Sequence, residues 1–145
     1  MAALRSVYRY WSWLVFLTVV LQIGFAGYGA FYVAEKVDGG TVNEDKFDDG
    51  WGLHMGFGYL VVLLILIGFL IALAAGVRGR RLGRAGGLFG LGILQILLAW
   101  FGSEVPVIGF FHPVNALLIF GLSGSIAWSE WRATEATTAP APATM

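Results

Sequence analysis

A chain of 145 residues is long enough for one domain. Its 58% hydrophobic and 12% charged residues depart from the soluble norm of about 45–50% apolar and about 25% charged, and so indicate an integral membrane protein. Nine Lys+Arg balance nine Asp+Glu, which argues against a nucleic-acid partner, and the lack of cysteine excludes disulfides, thiolate-bound metals and a cysteine nucleophile.

The first apolar stretch, about Trp11 to Val33, follows Arg5 and Arg9. It is longer than the 7–15-residue core of a signal peptide and has no convincing small-residue cleavage site, so it is expected to be an uncleaved helix. The segment from Glu35 to Gly50 then carries six carboxylates against Lys36 and Lys46, a net charge of −4. It lacks the ligand spacing of a calcium-binding EF-hand and is expected to be a solvated outer loop, with Asp48 and Asp49 capping the next helix. That helix runs from about Leu53 to Val77 and is followed by Arg78, Arg80, Arg81 and Arg84 in a short link. A third stretch covers about Ala85 to Phe101 and a fourth about Gly109 to Trp128, with His112-Pro113 at its start. Each approaches the ~20 residues needed to cross ~30 Å of hydrocarbon. Residues 133–145, rich in Ala, Thr and Pro, are expected to form a disordered cytoplasmic tail.

No strand-like alternation is present, so the expected fold is all-α, a four-transmembrane-helix bundle over residues 1–132 in the lipid bilayer of the cell membrane. Positive residues crowd the N-terminus and the second link, which predicts cytoplasmic N and C termini. The arginines there would also meet anionic headgroups.

Two hairpins within the chain look alike. Leu21-Gln22-Ile23 with Ala26 and Gly29 has the spacing of Leu94-Gln95-Ile96 with Ala99 and Gly102, and His54 with Gly58 matches His112 with Ala116. Helices 1 and 3 run the same way, so the hairpins form a parallel repeat. The repeat pairs the polar residues. His54 and His112 fall at one depth near the outer ends of diagonal helices, where two imidazoles can ligate one haem iron from opposite faces. Gly58 and Ala116, one turn deeper, would leave room for the macrocycle. Gln22, Gln95 and Asn115 either hydrogen-bond across helix interfaces or support the imidazoles as second-layer partners. Copper or zinc at the two histidines would need further ligands, and no zinc spacing is present.

The run from Leu94-Gln95-Ile96-Leu97-Leu98-Ala99 to Phe111-His112-Pro113-Val114-Asn115-Ala116 resembles one four-helix half of the haem A synthases. That resemblance implies paired axial histidines at the outer ends of the second and fourth helices, here His54 and His112. The pattern over about residues 5 to 130 also resembles an uncharacterised family of small actinobacterial four-helix membrane proteins. Haem A synthases carry a carboxylate three residues before the helix-2 histidine, where this chain has Trp51, and many carry an outer-loop cysteine pair that is absent here. The resemblance therefore implies a haem b site without the oxygenase chemistry.

The expectation is a membrane haem b protein for electron transfer, haem handling or sensing, more a binder than an enzyme, working with a membrane redox partner. The alternative is a cofactor-free structural or accessory subunit of a larger membrane complex. A small transporter fits less well, since no charged side chain falls mid-span.

Overall fold

The computed structural model describes residues 2–37 and 40–138, the last five of them by their backbone alone. Its elements are α1 (Ala2–Glu35), α2 (Glu44–Ala74), α3 (Gly79–Glu104), a single turn α4 (Pro106–Gly109) and α5 (Phe111–Thr138). The protein is an all-α four-helix bundle, and α1, α2, α3 and the run from Pro106 through α5 are each long and apolar enough to cross a membrane.

The sequence explains where each helix begins and ends. Asn43 starts α2 by accepting the Lys46 amide N–H on its side-chain oxygen at 3.0 Å, and Glu44 and Asp45 set negative charge on the first turn. Helix α2 therefore begins before Asp48 and Asp49, which lie inside it rather than capping it. It ends at Ala74, three residues short of the expected Val77, because Gly76 takes a left-handed φ of +69°. Gly76 donates to the Leu73 carbonyl and Val77 to the Ala72 carbonyl, the paired bonds of a Schellman ending. Pro106 forces Val105 into an extended conformation, which stops α3 and opens α4. Helix α5 continues to Thr138, so the first residues of the expected tail are helical, and 139–145 lie outside the described residues.

Around the ring, α1 packs on α2, α2 on α3, α3 on α5 and α5 on α1, while the diagonals α1/α3 and α2/α5 do not meet closely. The two histidine-bearing helices are diagonal, as the repeat predicts. The apolar core is uneven along the bundle axis. Val15, Val19, Ile65, Ala72, Leu88 and Ile126 bury themselves toward the end that holds the chain termini, here the terminal end. There Arg81 also forms a two-pronged ion pair with Glu130, which is 5% exposed, and Arg84 donates to Ser125 and Ser129. These arginines, expected only to set topology and meet headgroups, thus join α3 to α5. The opposite, hairpin end is packed through polar side chains and glycines.

Candidate functional site

At the hairpin end each helix pair closes on a glycine. A Cβ on Gly29 would stand 2.8 Å from the Gly50 carbonyl oxygen, and one on Gly102 would stand 2.5 Å from the Gly109 Cα. Gly29 and Gly102 are the matched positions of the repeat, so the two hairpins bring their backbones together at the same level. This close approach carries His54, on α2, and His112, in the first turn of α5, into the bundle. Their rings lie 6.2 Å apart between centroids, at 68° to one another.

Each imidazole is held by the glutamine of its own hairpin. His54 Nδ1 lies 3.2 Å from the Gln22 main-chain oxygen, and His112 Nδ1 lies 3.1 Å from the Gln95 main-chain oxygen. A carbonyl only accepts, so His112 Nδ1 carries the proton and His112 Nε2 keeps its lone pair, whereas His54 Nδ1 lies between the Gln22 carbonyl oxygen at 3.2 Å, an acceptor, and the Gln22 amide nitrogen at 3.1 Å, a donor. A histidine anchored by Nδ1–H on a backbone carbonyl presents Nε2 as a ligand.

The glutamine amides differ. Gln95 Nε2 donates to His112 Nε2 at 3.0 Å, while Asn115, buried at 4% exposure, donates to Gln95 Oε1 at 2.7 Å and to the Leu91 carbonyl at 2.9 Å. Gln22 Nε2 instead donates to the His54 main-chain oxygen at 2.8 Å, and it stands 3.1 Å from His54 Nδ1 and 3.5 Å from His54 Nε2. Gln22 Oε1 and Asn115 Oδ1 are buried acceptors with no donor among the described residues.

An open cleft of about 240 Å³ adjoins the rings, lined by His54, Leu98, Ala99, Gly102, Gly109 and His112. Ala99 and Gly102 belong to the repeat; Leu98 and Gly109 were not foreseen, although the register that matches His54 to His112 also sets Trp51 against Gly109. In the first hairpin the Trp51 indole packs on Gly29 and meets His54 edge-on at 5.6 Å, so the equivalent space is filled. Gly58 does not provide room for a macrocycle as expected, because a Cβ there would stand 2.9 Å from Gln22 Nε2 and its space is taken by that amide. Ala116 does not line the cleft. Among the described residues no group of three or more His, Cys, Asp or Glu side chains is placed to hold a metal ion.

Residues 22–103 match a family of unknown function, DUF6220. No curated protein and no solved structure matches the chain. The matched segment contains Gln22, His54 and Gln95 and stops before His112 and Asn115.

Proposed function

We propose that this chain, which belongs to the DUF6220 family, is a multi-pass membrane protein that binds haem b between His54 and His112, for electron transfer, haem handling or sensing. The close approach of the two imidazoles supports the reading. Metal–imidazole bonds of ~2 Å on either side of one metal set the nitrogens ~4 Å apart and the ring centres ~6 Å apart. The rings here stand 6.2 Å apart, and each Nδ1 lies within hydrogen-bond distance of its hairpin's glutamine carbonyl. A zinc site takes at least three protein ligands, and the described residues supply no third. Haem brings four equatorial nitrogens of its own and asks the protein only for axial ligands, so the donor set fits it.

In this reading His54 Nε2 and His112 Nε2 are the ligands, and the Gln22 and Gln95 carbonyls fix their orientation and raise their basicity. Ala99, Gly102 and Gly109 keep one wall of the cleft low. At 240 Å³ the cleft falls below the ~300–1,000 Å³ of sites that enclose a drug-sized ligand, so it takes up part of a macrocycle. Bound there, haem would supply one-electron redox chemistry. Trp51 stands where the haem A synthases, which this chain resembles, carry a carboxylate, so no conversion of haem O to haem A is proposed. The arginines of the terminal end favour cytoplasmic termini and a haem near the outer leaflet.

The deciding experiment is the ultraviolet–visible spectrum of the purified protein after haem supplementation. A Soret band that loses its six-coordinate, low-spin form in both His54→Ala and His112→Ala supports the reading; its absence in the folded wild type overturns it. A cofactor-free accessory subunit is the second reading, favoured by the hydrogen bonds that already tie each histidine to its neighbouring helix. Orientation is tested separately. A cysteine at Thr41 should react with an impermeant reagent outside intact cells and one at Gly79 should not.

A further inference from the structure

The two candidate ligands are not equivalent. Before His112 Nε2 can bind anything, the 3.0 Å hydrogen bond from the Gln95 amide must break, and that amide is itself braced by Asn115 on Gln95 Oε1. His54 Nε2 has less to give up, since the Gln22 amide stands 2.8 Å from the His54 main-chain oxygen and 3.1 Å from His54 Nδ1, and reaches Nε2 only at 3.5 Å. Sequence accounts for the difference. Asn115 corresponds in the repeat to Phe57, an aromatic ring that packs edge-on against Phe25 at 5.0 Å and cannot brace an amide. The open cleft lies beside Gly102 and Gly109 of the second hairpin, while Trp51 fills the first.

We propose that Gln95 and Asn115 form a latch on His112 Nε2, which makes His54 the resident ligand and His112 the exchangeable one, so that a small diatomic ligand such as carbon monoxide competes for the metal on the His112 side. The inference rests on the haem reading for the identity of the metal, but the masking of His112 is a property of the chain itself. It favours sensing among the roles proposed above, at a site that two fixed axial ligands would close.

The test therefore has two arms. In the haem-free protein, diethyl pyrocarbonate attacks unprotonated imidazole nitrogen, and site-resolved mass spectrometry gives a rate for each histidine. His54 should react about threefold to tenfold faster than His112, the factor that one hydrogen bond of ordinary strength implies. Gln95→Leu should bring the His112 rate up to that of His54, and Asn115→Ala should do so in part. Gln22→Leu should leave the His112 rate unchanged. In the haem-loaded protein, Gln95→Leu should weaken carbon monoxide binding by the same threefold to tenfold, because the freed His112 competes better, and Asn115→Ala should do so in part. His112→Ala should keep haem as a five-coordinate, high-spin form. Equal reactivity of the two histidines in the wild type, or a His112 rate that ignores Gln95→Leu, overturns the latch whatever the spectrum shows. Unequal reactivity with no Soret band overturns the haem reading and leaves the masking in place.

Discussion

Toward the chain termini the four helices meet through Val15, Val19, Ile65 and Leu88 and are clamped by Arg81 on Glu130; toward the hairpin turns they meet through imidazoles, amides and glycine backbones. The same helices cross both ends, so the difference lies in the side chains alone. Apolar packing and a paired buried carboxylate at the terminal end hold the bundle together. Buried polar atoms without a partner among the described residues occur at both ends, Gln22 Oε1 and Asn115 Oδ1 at the hairpin end and Arg9 Nε and Trp13 Nε1 at the terminal end, so what sets the hairpin end apart is a cleft open beside two histidines. The division of labour makes stability and site chemistry separable by mutation.

The largest expected effect is at the terminal end. Arg81→Ala takes the two-pronged guanidinium away from the buried Glu130 carboxylate, and losing one member of such a pair costs about 3 kcal/mol, at the low end of the usual range because half of the Arg81 side chain is already exposed. Thermal unfolding in detergent should show the loss, and the double variant Arg81→Leu, Glu130→Leu should recover most of it. The haem spectrum should be unchanged in both.

Next in size is Gly102→Val. The added side chain would begin 2.5 Å from the Gly109 Cα and 2.9 Å from its nitrogen, so two backbones must part. Overpacking of this kind costs about 1–3 kcal/mol. Gly87, where a Cβ meets nothing within 4 Å, is the control, and Gly87→Ala should leave stability within about 0.5 kcal/mol of wild type. Gly58→Ala is smaller again, because its Cβ meets only the movable Gln22 amide at 2.9 Å. Displacing that amide forfeits its bond to the His54 carbonyl, about 0.5–1.5 kcal/mol, and denaturant titration should resolve it.

Much of this division can be read from the residues in order. The spans follow from hydropathy, and the spacing of Gln22 and Gln95 from their small neighbours pairs the two hairpins before any coordinates. The diagonal placement of His54 and His112 follows from short links in an up-down bundle. What spacing does not carry is helix rotation, which decides what a side chain meets on the next helix. The Arg81–Glu130 clamp was missed for that reason, although a lone carboxylate between Trp128 and Trp131, level with an arginine-rich link, was a usable signal. The occupation of the Gly58 space by Gln22 likewise depends on how α1 turns toward α2. Helix α2 begins earlier than expected because capping by Asn43 outweighs the fall in hydropathy over Glu44 to Gly50.

The smallest expected effect tests the comparison most directly. His54→Leu removes a donor from the Gln22 carbonyl, but that carbonyl also lies within α1, where a helix N–H four residues on remains its partner, so no acceptor is stranded. The Gln22 amide loses its 3.1 Å approach to the ring at Nδ1 but keeps its bond to the backbone oxygen at position 54, which the substitution does not touch. Leucine then returns apolar contact in place of a half-buried ring, and the net change should stay within about 0.5 kcal/mol, as for substitutions that strand no partner. Unfolding curves of haem-free wild type and variant should nearly coincide, while the haem-loaded wild type alone gains stability from its ligand by mass action. A loss of several kcal/mol in the haem-free variant would break the contrast between the two ends. It would make the imidazole a structural clasp between α1 and α2 and shift the weight of the geometry to the accessory-subunit reading.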